Sequence, residues 1–208
     1  MSTRTATPNA RTKGVQSRQS ILSAAYALII RQGYAATSMR QIAEKSGLAL
    51  GGIYNHFASK EEVFRAIIAE RHPFFQIVPL LRSAPGDTVE EYVRNAAHTL
   101  VDELKRHPEF LNLMLVEIVE FKARHVPVVF EKLYPLLMPI VQRISSLRGN
   151  LRAIPPVVLA RAFLGMFFSY YITETLMGRT VPREFRDVKA IDYFVEIFLH
   201  GILKPEAE

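Results

Sequence analysis

His98 and Asp102 stand four residues apart, a spacing that brings an imidazole and a carboxylate to one face of a helix, where they could share a metal ion. Two ligands fall short of the three or four that a zinc site uses, and surface placement is the plainer reading. Two more acids stand out. Glu117 follows Phe110, Leu113 and Met114 and precedes Phe121 on one stripe; Glu174 follows Phe163, Phe167, Tyr170 and Tyr171 on another. A carboxylate on an apolar stripe needs a partner. The bland partner is an arginine such as Arg143 or Arg161; the sharper one is a cationic or hydroxylated apolar ligand. No glycine-rich phosphate loop follows a strand, and no nucleophile–base set or carboxylate pair has a convincing context. The residues therefore point to no enzyme, no cofactor and no bound metal.

A different constellation lies between Met39 and Ala58. Two short helices that cross steeply need a small residue at the contact and a turn with positive φ. Ala43 supplies the first, and Gly47, four positions on, supplies the second. Ile42, Leu48 and Ile53 fall where side chains fill the space beneath both helices. This is the spacing of a helix-turn-helix unit. The second helix of such a pair enters the DNA major groove, so Leu50, Gly51, Gly52, Tyr54, Asn55 and His56 are groove-side candidates. Arg40 faces outward from the first turn of the preceding helix, within reach of a base edge or a phosphate. Ile53 and Phe57 read as core, Lys45 and Arg31 as solvated charges.

The charge distribution agrees. The first 72 residues carry ten Lys/Arg against four Asp/Glu, which is the whole net charge of +6, and the remainder balances at sixteen of each. A basic head on a neutral body suggests a polyanionic partner for the head. A non-specific nucleic-acid architectural protein would share the basic head but would not explain a large aromatic body. There is no cysteine, which excludes disulfides and thiolate metal sites. The polar segment Met1–Ser17 lacks the apolar core of a secretory signal, and no stretch approaches the roughly 18 uninterrupted apolar residues of a membrane span. A cytoplasmic protein without a membrane partner is expected.

The elements that must position these residues are almost all helical. Apolar spacings of three and four recur, while strict alternation is scarce. The first helix carries Ile21, Leu22, Ala25, Leu28 and Ile29 and ends near Gly33. The second starts at Thr37 or Ser38 and the third covers roughly 50–56. Ser59 with Glu62 is a capping box for a fourth helix to about Arg71. Pro73, Pro79 and Pro85 mark a junction. Five longer helices follow, opened by Thr88, Pro108, Pro127, Pro155–Pro156 and about Asp187, with a kink or break predicted at Pro135 and Pro139. The predicted organisation is a flexible basic arm over 1–16, a DNA-binding domain over 17–72 and a helical body over 73–208. The stripes Phe163–Phe167–Tyr170 and Ile191–Val195–Phe198–Ile202 offer more apolar surface than one body easily covers, which predicts a homodimer.

From Ser17 to Ile67, about a quarter of the chain, the sequence closely resembles the tetracycline-repressor (TetR) family of bacterial regulators. The resemblance rests on Ile21-Leu22, Ala24-Ala25, Gly33-Tyr34, Thr37-Ser38, Ile42-Ala43, Gly47, Gly52-Ile53-Tyr54, His56-Phe57 and Ser59-Lys60-Glu61. It implies an all-α subunit of about nine helices, with a three-helix DNA head, a variable ligand-binding body and dimerisation through the last two helices. It also implies phosphate contacts from Thr37, Ser38, Tyr54 and Lys60, a palindromic double-stranded operator, and repression released by a small-molecule effector. In such a body part of the aromatic and methionine surface lines a cavity, with Phe110, Leu113, Met114, Glu117, Phe121, Tyr134, Met138, Phe167, Tyr170, Tyr171 and Glu174 as candidate lining. One departure is Ala49, where the family commonly places a hydroxyl residue at the start of the recognition helix. With Gly51 and Gly52 beside it, this implies close backbone approach, contact of Leu50 with thymine methyls, and readout of DNA shape.

Overall fold

Ser38 begins the element that gives the head its geometry. Its hydroxyl accepts a hydrogen bond from the Gln41 amide at 3.2 Å, and the Gln41 side chain accepts one from the Ser38 amide at 2.8 Å, so two amides at the helix start are satisfied reciprocally. The helix ends at Gly47, whose φ of 70° lets its amide and that of Leu48 turn back onto the carbonyls of the last turn. These contacts belong to a computed structural model that describes residues 10–177, 180 and 189–204.

The described residues form α1 (Ala10–Gln32), α2 (Met39–Ser46), α3 (Leu50–Tyr54), α4 (Lys60–Arg71) and α5 (Phe74–Arg82). After these come α6 (Val89–Arg106), α7 (Glu109–Phe121), α8 (Val126–Ser146), α9 (Pro156–Met177) and α10 (Ala190–Ile202). There is no strand among them, only isolated bridges at Thr88–Arg148 and Leu151–Leu203. The fold is all-α. His72, in an extended conformation, and Pro73 separate α4 from α5.

Three expectations need correction. The arm predicted over 1–16 is helical from Ala10 onward, and residues 1–9 lie outside the described residues. The proline-marked junction holds α5, which buries Ile77, Val78 and Leu81 and keeps Pro79 inside the helix. Of the kink or break predicted at Pro135 and Pro139, the break does not occur, since one helix, α8, runs through both prolines. The start of the last helix predicted at Asp187 lies outside the described residues; α10 begins at Ala190.

Two compact units emerge. The first comprises residues up to His72 together with 109–130; the second comprises 73–108 and the residues from 131 on. In the first, α1 packs on α2, α4 and α7. Ile21, Leu22, Ile42, Ile53, Val63, Phe64 and Ile67 are fully buried, each contributing roughly 1.5–3 kcal/mol. An aromatic cluster closes this core: Phe64 stacks on Phe121 at 5.0 Å, and Tyr34 meets both rings edge-on at 5.5 and 4.9 Å.

In the second unit α6 packs on α5, α9 and α10. Its buried face runs from Val89 through Tyr92, Val93, Ala96 and Leu100 to Leu104, and the Tyr92 hydroxyl donates to the Leu81 carbonyl at 2.9 Å. On α9 and α10, Phe167 and Phe198 pack at 5.9 Å and Tyr170 meets Phe194 at 5.1 Å. Phe167, Tyr170, Val195, Phe198 and Ile202 are thus buried inside the subunit, which removes the argument that their stripes lack cover. The apolar surface left open lies elsewhere on the same helices, at Val157, Val158, Leu176, Met177, Tyr193 and Ile197. Helix α9 is long and apolar enough by composition to cross a membrane, yet little of it is buried in the subunit.

Candidate functional site

Buried Ile53 fixes which side of α3 meets α2, and helical periodicity then decides what faces out. Leu50, Gly51, Tyr54 and Asn55 are exposed, Leu50 at 40% and Tyr54 at 51%, with Gly51 and Asn55 on the side away from Ile53 and Leu50 and Tyr54 on its flanks. Gly52 and His56 are half-buried at the edge of this face. A Cβ added at Gly51 or Gly52 would meet nothing within 4 Å, so internal packing does not demand glycine at either position. Ala49 stands at the cap without a side-chain hydrogen bond. Beside this face, Ser38 and Arg40 are exposed at the start of α2. The first turn of α2 also presents amides with no partner within the helix, the usual setting for a phosphate.

Two residues assigned to phosphate are placed otherwise. Thr37 is 2% exposed, and its hydroxyl donates to the Gly33 carbonyl at 2.8 Å, closing the end of α1. Its hydroxyl is therefore committed within the chain, not presented to solvent. Lys60, the first residue of α4, is half-buried. Its Nζ donates to the Tyr34 carbonyl at 2.7 Å and lies 4.1 Å from the Tyr34 ring centroid, and burial lowers its pKa. The ammonium retains two further N–H donors.

The residues expected to line a ligand site divide between the units. In the first, Phe110, Leu113 and Phe121 are buried in the core and Met114 is half-buried. Glu117 is also buried there, bound to His125 and not to Arg143 or Arg161. The backbone turns between these partners through Lys122 and Ala123, both at positive φ. Sequence periodicity missed His125, which is buried, stacked edge-on against Phe121 at 4.8 Å and placed with its Nε2 3.6 Å from Glu61. Arg124 bonds the same Glu61 at 2.8 Å.

In the second unit Phe167, Tyr170 and Tyr171 are core, Met138 is half-buried, and Tyr134 and Glu174 are exposed. That unit does contain a cavity of about 300 Å³, bounded by α5, α6, α8, α9, α10 and the connector 147–155. None of the eleven expected residues lines it; Phe163, from the same α9 stripe, does. His98 is not paired with Asp102 for a metal. Its Nε2 lies 2.9 Å from Asp192 on α10, beside an Arg94–Glu196 ion pair, and no group of three or more metal-binding side chains occurs among the described residues.

Residues 21–67 match the model of the tetR family of bacterial regulatory proteins. Over 187 residues the chain is 23% identical to the HTH-type transcriptional regulator YvkB of Bacillus subtilis, covering 88% of this chain and 95% of that one. Its fold is similar to that of a TetR-family transcriptional regulator from Mesorhizobium loti, at 23% identity and a TM-score of 0.67 over 93% of this chain and 100% of the other. It is also similar to FadR from Bacillus subtilis, solved in complex with stearoyl-CoA, at 17% identity and a TM-score of 0.61 over 88% and 98% of the two chains. Head, exposed face of α3 and helical body thus agree with one another: residues 21–67 form a head of the tetR-family type, on a chain whose fold is similar to that of TetR-family regulators.

Proposed function

We propose that the protein is a cytoplasmic, non-enzymatic homodimeric repressor that binds a palindromic operator and releases it when a small apolar or amphipathic molecule occupies its body. The observation that carries the DNA reading is the exposure of Leu50, Gly51, Tyr54 and Asn55 on α3 around a buried Ile53. This face enters the major groove, Leu50 against thymine methyls and Asn55 toward a base edge, while the glycines let backbone approach the DNA closely. Gly52 and His56 flank it. Ser38, Arg40 and Tyr54 meet phosphates, and Lys60 joins them with the donors that Tyr34 leaves over.

The second copy covers the open face of α9 and α10, from Val157 and Val158 to Leu176, Met177, Tyr193 and Ile197. The effector reading draws on the cavity in the second unit and on the similarity to FadR, which was solved with an acyl-CoA. Selection of bound DNA from a random pool tests the whole. A recovered palindrome with half-sites about 34–36 Å apart is expected. Recovery of unrelated sequences at equal affinity would replace this reading with non-specific binding.

A further inference from the structure

The lining of the cavity in the second unit ranges from buried to exposed residues. Its buried wall is made by Leu81, Val93, Ala96 and Phe198, with the ring of Tyr92. Ser145, Arg152 and Pro156 also line it, and all three are exposed. The rest of the lining from α8 and α9 is aliphatic apart from Phe163.

Polar groups along this wall are few, and most are already engaged. The Tyr92 hydroxyl donates to the Leu81 carbonyl and the Ser145 hydroxyl to the Val141 carbonyl. No acidic side chain among the described residues lines the cavity. Among the described residues Arg152 is the one charged side chain in the lining, and it is held in place. Its backbone amide donates to the Ile202 carbonyl at 2.8 Å and its Nε to the Leu203 carbonyl at 2.8 Å. A planar guanidinium fixed through Nε still presents both Nη groups as a fork, the geometry that suits a carboxylate.

We propose that this cavity binds a medium-chain anionic amphiphile, with its hydrocarbon against Tyr92 and Phe198 and its carboxylate on Arg152. The assignment rests on the effector reading given above and names its ligand class. The sign of the charge follows from the lining: a cation placed here would meet no counter-charge among the described lining residues and would face Arg152, while a carboxylate meets a prepared donor. This reverses the cationic handle that Glu117 and Glu174 suggested. At about 30 Å³ for each group of water's size, the volume accommodates a chain on the order of ten carbons.

Calorimetric titration of the full chain with decanoate, decan-1-ol and decyltrimethylammonium, each below its micellar concentration, tests the assignment. Decanoate is expected to bind at least roughly tenfold more tightly than decan-1-ol, and the cation not at all. Arg152→Gln should erase that advantage and leave decan-1-ol binding unchanged, while Arg152→Lys should keep part of it. Filling the cavity with Ala160→Phe should abolish both. Decan-1-ol binding as well as decanoate, binding of the cation, or no binding by any of the three would overturn the assignment, and each is read on the unaltered protein, independent of how variants fold. Operator affinity measured in parallel separates the two readings. Decanoate binding without any change in DNA affinity leaves the site assignment standing and removes the effector role. Release of DNA by another molecule, with decanoate unbound, does the opposite.

Discussion

Glu117 and His125 are joined twice: Glu117 Oε1 accepts the His125 backbone amide at 2.6 Å, and Oε2 lies 2.9 Å from the ring Nδ1. Both side chains are about 5% exposed. The pair fastens the turn after α7 to the helix itself. Glu117→Ala strands a buried amide and a buried imidazole, so it should cost about 2–4 kcal/mol in urea unfolding. Glu117→Gln, which keeps an acceptor for the amide, should cost less than half of that. Equal losses would show that charge, not hydrogen bonding, holds the corner.

His72 faces the Phe110 ring at 5.3 Å, and burial pushes its pKa down from 6.5 to about 4. The fold favours the neutral imidazole. Its stability contribution is complete above pH 6.5 and is lost as pH falls from 6.5 toward 4, where the unfolded chain takes up a proton that the folded one refuses. The loss should be on the order of 2–3 kcal/mol, at 1.36 kcal/mol per pK unit. Urea midpoints at pH 7 and pH 4.5 should converge in His72→Leu relative to the unaltered protein; an unchanged gap would remove His72 as the cause.

Thr37 and Tyr54 should behave oppositely. Thr37→Val loses the bond to the Gly33 carbonyl and should destabilise the fold by about 1–2 kcal/mol, with operator affinity intact in the folded fraction. Tyr54→Ala should leave stability within about 0.5 kcal/mol. It should weaken binding to all sequences and lower the salt slope by roughly one unit. Fluorescence anisotropy at several salt concentrations distinguishes them, and a reduced slope in Thr37→Val would return the hydroxyl to the phosphate.

At Gly52 the fold and the proposed interface make opposite demands. Open space around its Cβ means that Gly52→Ala should stabilise α3, by about 0.5–1 kcal/mol from helix propensity. If the backbone there approaches DNA closely, the same methyl should weaken operator binding at least roughly tenfold, about 1.4 kcal/mol. A variant both more stable and fully active would refute the close approach.

Ile197 is 62% exposed and Leu176 65%. Charge on this face should split the dimer, so Ile197→Glu should give a monomer mass by light scattering at micromolar concentration with helical circular dichroism retained. A dimer that survives both Ile197→Glu and Leu176→Glu would put the interface elsewhere.

Much of the head could be read in the sequence because its signals are local. Ser38, Gly47 and Ser59 act within four residues of themselves, and capping or turn chemistry announces them. Helix α5 was hidden because Pro79 argues against it locally, whereas packing of Ile77, Val78 and Leu81 outweighs the one lost hydrogen bond. The partner of Glu117 lies across a turn with positive φ, and that of His98 is 94 residues away, so neither follows from periodicity. The cavity was misplaced for a related reason. An apolar stripe looks the same whether it lines a void or fills one, and only assembly of five helices and a connector decides.

The stack of Phe121 on Phe64 has a bearing on how the protein is made. At about 5–20 residues per second, a ribosome that has finished α4 still needs several seconds to deliver α7. During that interval the nascent head has its recognition helix but not the ring that covers Phe64 and Tyr34. A polypeptide ending at residue 72 would be left permanently in that state. A DNA-binding fragment made for separate use should therefore carry residues 109–130 as well, since the smallest self-sufficient head is discontinuous in the gene.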